Sequence, residues 1–453
     1  MNPGEDGSAQ KPVNREPDTS RLVQSFLTPS QSNPQPEHTS KSQSQSQGKP
    51  QLVAYDRNHG PIQHLDGSSH RLSIKSDPVL SSSSSPNSNT NILPQPLNAV
   101  LSLSELSDNF EQVSITCALQ CAGNRRHEMR ERLGEVSGLD WGDGAVMNAE
   151  WRGVRVRDVL VHAGLKALAT RKPHDDGGGG GGGGEELGSR YEGLHVQFAC
   201  TTQPTQEDDY YGSSVPLSIA LDPDRECLLA THMNGEVLPA RHGFPLRAIV
   251  PGVIGARSVK WLDSLVVAGE ESTNHYQRRD YKILPPEVDS AEEAKQGGDE
   301  LWDSVEAMMD NPINSVVAVP GKDDEEVQRD ENGRVHVRGY AIPKGKDGPV
   351  VKVEVSLDRG HTWHEASILD QGDEFNTHPR NMGRSTSTSE RGQFAWVLWD
   401  VHVPCAPGED ISIWSKATDR GGNTMSVEQA EGSWNLRGVG FNAVEGRRGI
   451  KVV

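Results

Sequence analysis

The last third of the chain carries the pattern that most restricts its fold. After Asn311, short stretches with alternating apolar residues recur between turn residues: INSVVAVP, RVHVRGYAI, VVKVEVSLDRGHTWHEASI, FAWVLWDVHV and DISIWSKATDRGGN. A period of two is typical of strands that bury one face, and many short strands at close spacing favour two packed sheets. Residues 312–453 are therefore predicted to form an immunoglobulin-like β-sandwich.

Two polar segments delimit the rest of the chain. Residues 1–50 contain mainly Ser, Gln, Pro and charged residues, as in SKSQSQSQGKPQ, and are predicted to form a disordered tail. Residues 286–311 are acidic and have a helix-forming composition, which predicts an acidic surface linker. Residues 51–285 are left as a separate folded domain ahead of the sandwich.

Residues 51–285 mix helix and strand patterns, so the fold class is predicted to be α+β. LSLSELSDNF predicts a short helix, and a second helix is expected from about Val156. EQVSITCALQC predicts a half-buried strand with four residues on its inner face: Val113, Ile115, Cys117 and Leu119. The glycine run at 177–184 lacks the lysine and the strand–helix context of a phosphate loop, so a flexible insertion is expected there.

Composition excludes several functional classes. The net charge of −19, from 45 Lys plus Arg and 64 Asp plus Glu, argues against a nucleic acid partner, which needs a basic face. No apolar run approaches the roughly 18 residues that a membrane helix requires. The five scattered cysteines do not suggest a disulfide framework, so a reducing compartment, the cytoplasm, is predicted. A mitochondrial or peroxisomal location is left open.

One cysteine is distinguished by its neighbours. Cys121 ends the predicted strand and precedes a small-residue turn and the adjacent Arg125 and Arg126. A packed core thiol is the more common interpretation, but two guanidinium groups would lower the pKa of this thiol and favour a thiolate. Because no second Cys or His pair follows at zinc spacing, thiolate ligation of a redox-active metal fits better than zinc.

Other basic residues recur at predicted strand edges of this acidic protein. They lie in RNH (57–59), RHGFPLR (241–247) and GARSVKW (255–261). Each alone is a common turn or surface feature, but together they suit an anionic cofactor that carries phosphate. Tyr211 is either a core phenol or a group that binds an oxyanion or relays protons. Trp141 and Trp261, taken alone, are expected in the core.

Several of these motifs resemble one known family. LQCAGNRRHEM, RNHGP, YYGSSVPL, MNGEVLPARHGFPLRAIVPGVIGARSVKWL and HYQRRDYK are similar to the molybdopterin domain of sulfite oxidases and eukaryotic nitrate reductases. VEVSLDRGHTWHEA, FAWVLWDVHVP and WNLRGVGFNA resemble the dimerisation domain that follows it in that family. The similarity implies a sulfite-oxidase-type molybdopterin domain followed by the immunoglobulin-like sandwich, in a homodimer.

The resemblance also implies roles for particular residues. Cys121 would be the single protein ligand to molybdenum. The molybdopterin and its phosphate would be held by Arg57, Asn58, His59, His242, Arg247, Ser258, Val259 and Lys260. The oxyanion pocket would be lined by Arg57, Arg126, Trp141, Tyr211 and Arg391. No haem is expected, because the HPGG motif of cytochrome b5 does not occur in the sequence.

The activity implied by the resemblance is oxidation of sulfite to sulfate by oxygen-atom transfer, without an attached cytochrome b5 domain. Dioxygen or a separate cytochrome would accept the electrons. A nitrate reductase or another oxyanion oxidoreductase of the same family is the alternative, although these 453 residues show no electron-donor domain. A cofactor-free binding protein with the same fold is a further hypothesis, which the cysteine, the arginines and the tyrosine disfavour.

Overall fold

The computed structural model describes residues 11–29, 54–81, 93, 95–165, 191–369, 392–408, 410–426 and 434–453. Its helices are α1 (Thr19–Leu22), α2 (Leu103–Asn109), α3 (Arg126–Leu133), α4 (Val156–His162), α5 (Leu217–Leu221), α6 (His275–Arg278), α7 (Ala291–Gln296) and α8 (Gly298–Asp303). Short 3-10 turns lie at Pro78–Ser81, Ala240–His242 and Gly255–Arg257. No helix in these ranges is long and apolar enough to span a bilayer.

The strands fall into two groups along the chain. The first group is β1 (Arg71–Ser76), β2 (Asn98–Ser102), β3 (Val113–Gln120), β4 (Val146–Arg155), β5 (His195–Cys200), β6 (Tyr211–Pro216), β7 (Leu228–Met233), β8 (Glu236–Val237), β9 (Arg247–Ile249) and β10 (Ser264–Ala268). The second is β11 (Asn314–Val319), β12 (Glu326–Val327), β13 (Arg334–Ile342), β14 (Val350–Ser356), β15 (His364–Glu365), β16 (Ser367–Ile368), β17 (Val397–Pro404), β18 (Asp410–Asp419) and β19 (Glu445–Val452).

The first group of strands builds two sheets. One has the order β2-β1-β10-β5-β6, in which β1 and β10 are parallel and the other neighbours antiparallel. The other has the antiparallel order β3-β4-β7-β8, with β9 also paired to β7. Each sheet packs over its own apolar core, which contains Leu72 and Leu265 in the first case and Met147 and Leu228 in the second.

Three predicted elements of this half are confirmed. The predicted short helix is α2, where Ser102 and Glu105 bond reciprocally as a capping box. The predicted half-buried strand is β3, and its four inner residues all belong to one core cluster. The second predicted helix, α4, begins at Val156. The glycine run lies outside the described residues.

The second group of strands forms the predicted β-sandwich. One sheet has the order β11-β13-β17-β16 and the other β12-β19-β18-β14-β15. Val337, Val353, Trp399 and Ile413 lie fully buried between them. The alternation of inward and outward residues along β14 and β18 is therefore the physical basis of the pattern seen in the sequence. The α+β fold class is confirmed.

The prediction of a disordered tail over residues 1–50 is wrong for residues 11–29. Asp18 caps α1 through the backbone N–H of Ser20, and Leu22 and Val23 are buried. They pack against Ala118 and Trp396, which belong to the two halves of the molecule. This short apolar sequence, LVQSF, was hidden by its polar surroundings. Residues 1–10 and 30–50 lie outside the described residues.

The segment 286–311 contains α7 and α8, so its predicted helical character is confirmed. It is also packed more closely than a surface linker. The backbone carbonyl of Trp302 accepts a hydrogen bond from Lys282 Nζ at 2.6 Å, and that of Met308 accepts one from Arg257 at 3.0 Å. These bonds hold the segment against the first half of the chain, beside the region that follows β10.

Candidate active site

A cavity opens where the two cores of the first half meet. It has about 830 Å³ of empty volume, part of which is open to solvent. Its wall is formed by Tyr55, Arg57, Asn58, His59, Gly60, Pro61, Leu119, Cys121, Ala122, Met147, Cys200, Gln203, Thr205, Tyr211, Arg247, Gly255, Ala256, Ser258, Lys260, Trp261 and Tyr281. The loops at the ends of β3, β5 and β9 contribute to a wall whose most distant residues, Tyr55 and Tyr281, are 226 positions apart in the chain (281 − 55).

Cys121 enters the cavity wall directly after β3. Its backbone N–H donates to the carbonyl of Ala145 at 2.9 Å, which fixes the turn that follows the strand. Gly123 is required in this turn, because a Cβ there would lie 2.5 Å from a guanidinium nitrogen of Arg126. Arg126 in turn donates to the carbonyls of Gly438 and Leu139. The small residues of the motif therefore make room for the arginine that begins α3.

The predicted lowering of the Cys121 pKa is wrong. Burial raises its pKa above the ordinary value, although Arg126 and Arg57 act in the opposite direction. Arg125 does not assist, because it pairs with Glu128 at 2.6 Å and donates to the carbonyls of Ala443 and Glu445 in the sandwich. Arg125 and Arg126 are thus adjacent in sequence, but only Arg126 acts to lower the pKa of the thiol.

One side of the cavity concentrates buried cations. Burial, followed by repulsion from Arg247, lowers the pKa of Lys260 to about 7. Burial alone lowers that of Arg247 to about 10 against weak opposing contributions from Tyr55 and Cys117. His242 is fully buried, and burial together with Lys260 lowers its pKa well below 6.5. This side therefore favours an anion that would neutralise its charge.

A second group of side chains at the cavity is aromatic. The rings of Tyr211 and Tyr276 stack at 4.8 Å, and His59 lies 4.9 Å from Tyr211 and 4.2 Å from Tyr276 between ring centroids. The hydroxyl of Tyr211 donates to the carbonyl of Ala256 at 2.9 Å. The hydroxyl of Tyr281 lies 3.0 Å from His59 Nε2, whose pKa burial lowers well below 6.5. Tyr281 and a neutral imidazole therefore form a hydrogen-bonded pair in the cavity.

The structure brings most of the predicted site residues to this cavity. The residues in its wall are Cys121, Arg57, Asn58, His59, Arg247, Ser258, Lys260 and Tyr211. Arg126, Trp141, His242 and Val259 are buried but are not part of the wall. Trp141 shares the core cluster of Cys121, and the carbonyl of Val259 accepts from Ala248. Arg391 lies outside the described residues.

Sequence reasoning missed Tyr55 and Tyr281 and left Trp261 in the core. Tyr281 lies in HYQRRDYK, a stretch that resembles the family, but no role was predicted for this tyrosine. The pKa of this phenol is raised, mainly by burial, and its electrostatic partners include Arg57 and Cys121. Tyr55 stands two residues before the predicted Arg57. For both tyrosines, proximity to a motif was the only sequence feature that could have predicted a position at the cavity.

The cavity fits an anionic, phosphate-bearing cofactor on physical grounds. Neither ring nitrogen of His242 and not the Nε of Arg247 has a hydrogen-bond partner among the described residues, although all three atoms are buried. Such unsatisfied groups are rare in native proteins and indicate a ligand. Within the same ranges no three His, Cys, Asp or Glu side chains cluster as a metal site. The Cys121 thiol beside a cationic wall suits a metal that arrives with its own ligand.

Comparison with known proteins agrees with this geometry. Residues 93–276 match the oxidoreductase molybdopterin binding domain, and residues 305–444 match the Mo-co oxidoreductase dimerisation domain. The chain is 36% identical over 442 residues to the mitochondrial sulfite oxidase of Homo sapiens, covering 96% of this chain and 64% of that protein. It is 33% identical over 435 residues to the sulfite oxidase of Arabidopsis thaliana, covering 95% and 90%.

Two further similarities extend beyond sulfite oxidases. The NADH nitrate reductase of Ulva prolifera is 31% identical over 398 residues, covering 87% of this chain and 39% of that protein. The structure of the sulfane dehydrogenase SoxCD from Paracoccus pantotrophus superposes with a TM-score of 0.60 at 20% identity, covering 87% of this chain and 79% of that one. The second likeness supports the fold alone. From its domains and its relatives, the chain belongs to the sulfite oxidase family of molybdenum-cofactor oxidoreductases.

Proposed function

We propose that this protein oxidises sulfite to sulfate at the cavity that contains Cys121. The observation that carries the proposal is the position of the buried Cys121 thiol, one of two cysteines in the wall, beside Arg57, Arg247 and Lys260 in a protein of net charge −19. A local cationic cavity attracts a small dianion that the overall field repels. The relatives named sulfite oxidase support the same substrate. The match covers only 64% of the length of the human protein, so the activity of that whole protein is carried over as a proposal.

The residues divide the work according to their positions. Cys121 would ligate molybdenum. Arg247, Lys260, Ser258 and Asn58, with His242 behind the wall, would hold the pterin and its phosphate through charge-assisted hydrogen bonds. When bound, the cofactor supplies the two-electron oxygen-transfer chemistry, and the protein supplies binding and orientation.

Sulfite binding and proton handling are proposed for the remaining wall residues. Arg57, assisted by Arg126 behind the turn, would bind the oxyanion and orient its sulfur lone pair. Conversion of sulfite and water to sulfate releases two protons and two electrons. Proton transfer is assigned to the pair of Tyr281 and His59, because the phenol hydroxyl lies 3.0 Å from His59 Nε2 and one group can pass a proton to the other. Tyr211, with its hydroxyl bonded to Ala256, is assigned to shaping the wall.

The assembly and the compartment are also proposals. The match of residues 305–444 to a dimerisation domain supports a homodimer that forms through the sandwich. The electron acceptor is proposed to be dioxygen or a separate cytochrome. The cytoplasmic location rests on cysteine usage alone, and the human relative is named mitochondrial.

The proposal is tested by product formation with matched cysteine variants. Purified holoenzyme is supplied with sulfite and ferricyanide, and sulfate is quantified by ion chromatography. We expect one sulfate for each two ferricyanide ions reduced. Cys121→Ser should abolish turnover, because a serine hydroxyl is a poor ligand for a soft metal site. Cys117→Ser, on the strand that leads to Cys121 and fully buried, should retain turnover but lower the stability.

The alternative function has its own outcome in the same experiment. The Ulva relative is named a nitrate reductase, so nitrate is tested in parallel with reduced methyl viologen as the electron donor. A molybdenum-loaded protein that reduces nitrate and leaves sulfite unchanged would replace the proposed substrate by nitrate. Loaded protein that uses neither anion would remove both substrates.

A further inference from the structure

The segment 13–16, ahead of α1, is bonded directly to the loop that carries Arg57. Arg15 and Asp56 exchange two backbone hydrogen bonds of 2.9 Å, and their side chains form an ion pair at 3.0 Å. The side-chain oxygen of Asn14 accepts from the backbone N–H of Asn58 at 3.1 Å and from Arg57 at 3.3 Å. The side-chain amide of Asn58 donates to the carbonyl of Val13 at 2.7 Å. Together these contacts form a short two-stranded bridge.

The same segment reaches the turn behind Cys121. The carboxylate of Glu16 accepts from the backbone N–H groups of Gly142 and Gly144 at 2.8 and 2.6 Å. A Cβ at Gly144 would lie 2.4 Å from the carbonyl of Pro17, so only glycine allows this approach. The neighbouring carbonyl of Ala145 is the acceptor for the backbone N–H of Cys121. Glu16 therefore holds the turn that fixes the thiol-bearing loop.

Asn58 connects the segment to Lys260 in the cationic part of the wall. Its side-chain oxygen accepts from Lys260 Nζ at 2.8 Å, while its amide is held by Val13. Asp56 adds a second link, because it lies 3.1 Å from Arg241, whose carbonyl also accepts from Lys260. The segment thus touches both the anion-binding side and the thiol side of the cavity without belonging to its wall.

We propose that residues 13–16, here called the pocket clamp, are a positioning element that joins the Arg57 loop to the turn behind Cys121. The proposal rests on the proposed function insofar as Arg57 binds the substrate. In this role Asn14 orients the arginine, and Glu16 keeps the thiol loop at a fixed distance from it. Preorganised groups of this kind lower the free energy needed to orient a bound anion.

Anchoring of the chain does not require these polar contacts. Leu22 and Val23, which follow the clamp, are already buried against Ala118 and Trp396. A segment needed only for stability would be secured by this apolar contact, with about 1.5–3 kcal/mol for burying a side chain of this size. The clamp residues instead direct their polar atoms at the two loops that shape the cavity.

The first test compares variants of Asn14 in the holoenzyme. Asn14→Ala removes the acceptor for Arg57 and Asn58, so we expect the KM for sulfite to rise about fivefold with kcat within twofold of wild type. Asn14→Asp keeps an oxygen at the same place and should restore the KM. The matched control is Asp18→Ala, which loses its bonds to Ser20 in the same segment and touches neither loop. It should leave the KM unchanged.

The second test uses molybdenum content, which does not depend on the identity of the substrate. Glu16→Ala leaves two backbone N–H groups without their acceptor, so we expect molybdenum per chain to fall at least twofold after gel filtration. Glu16→Gln retains one carbonyl oxygen and should fall in between. If wild type retains molybdenum but does not oxidise sulfite, the proposed function fails while this readout still tests the clamp.

The clamp proposal would be overturned if Asn14→Ala and Glu16→Ala both matched Asp18→Ala in KM and in molybdenum content. An unfolded Glu16→Ala protein would leave the Asn14 pair to decide, since that substitution is at an exposed residue. A loss in Asn14→Ala that Asn14→Asp fails to restore would also count against the clamp, because the oxygen acceptor would then not be the cause.

Discussion

Two cations, Lys260 in the first half of the chain and Arg447 in the sandwich, differ in how their charge is balanced. In the first half, burial and cationic neighbours lower the pKa of Lys260 to about 7. In the sandwich, Arg447 is more buried than Lys260, yet Asp143 and Glu128 overcome the effect of burial and raise its pKa. Arg447 donates to Asp143 at 2.6 Å, whereas Lys260 contacts neutral oxygens of Asn58, Arg57 and Arg241. The arginine has a hydrogen-bonded counterion, whereas the lysine is influenced by Asp56 but has no carboxylate within hydrogen-bond distance among the described residues.

This difference separates residues kept for stability from residues kept for binding. A buried cation without a counterion destabilises the fold, so its presence indicates that an anion supplies the missing charge. A buried pair joins two parts of a structure, as Arg447 joins β19 to the turn at Asp143. The sandwich should accordingly govern unfolding, and the cavity should govern cofactor and anion binding.

The largest expected effect tests the sandwich side of the comparison. Ile413→Ala removes a fully buried side chain from β18, and we expect the free energy of unfolding to fall by about 3 kcal/mol. Below the unfolding transition, molybdenum content and the KM for sulfite should stay at wild-type values. Chemical denaturation and metal analysis of the same sample measure both quantities. A changed KM in the folded variant would mean that the halves are coupled.

Much of the fold followed from local patterns. The period-two alternation of β14 and β18 predicted the sandwich because each strand has one buried face. The ordered segment 11–29 was not predicted, because its apolar contacts are few and its partners, Ala118 and Trp396, are distant in sequence. A short segment that gains its order from tertiary contacts carries no periodic signal of its own.

The site was predictable in its residue types and less so in its connections. The cluster of arginines, the histidines and Cys121 could be selected because their motifs combine charge with turn residues. The hydrogen-bond partners could not be predicted, since Arg125 and Arg126 are chemically identical. Only the fold pairs Arg125 with Glu128 and Arg126 with the carbonyls of Gly438 and Leu139. The phenol bonded to His59 is likewise a matter of tertiary geometry.

A smaller effect tests the unpaired lysine. Unfolded Lys260 keeps its proton up to a pKa near 10.5, while folded Lys260 loses it near 7. The folded state therefore binds fewer protons between these values, and its stability rises with pH there. Lys260→Met lacks this proton release. In cofactor-free protein, the full shift would correspond to about 4 kcal/mol between pH 6 and 10. Because Lys260 is partly exposed, we expect wild type to gain on the order of 2 kcal/mol over the variant.

Denaturation of the two cofactor-free proteins at several pH values measures this gain. Equal pH dependence of the two would show that Lys260 already has a counterion in the folded protein, and the contrast with Arg447 would fail. Bound cofactor should reduce the gain, because its phosphate would stabilise the protonated lysine. The holoenzyme thus provides the internal control.

The smallest effect distinguishes the two phenols on the aromatic side. Tyr281→Phe removes the hydroxyl that faces His59 Nε2, and we expect kcat/KM for sulfite to fall about tenfold, as for one lost proton-handling group. Tyr211→Phe removes a hydroxyl bonded to the carbonyl of Ala256, so its fall should stay within about threefold. Steady-state kinetics of both variants, with melting temperatures as the control for folding, decide between them. The reverse order would return the proton-handling role to Tyr211, as the sequence predicted, and would make the Tyr281–His59 pair a packing contact.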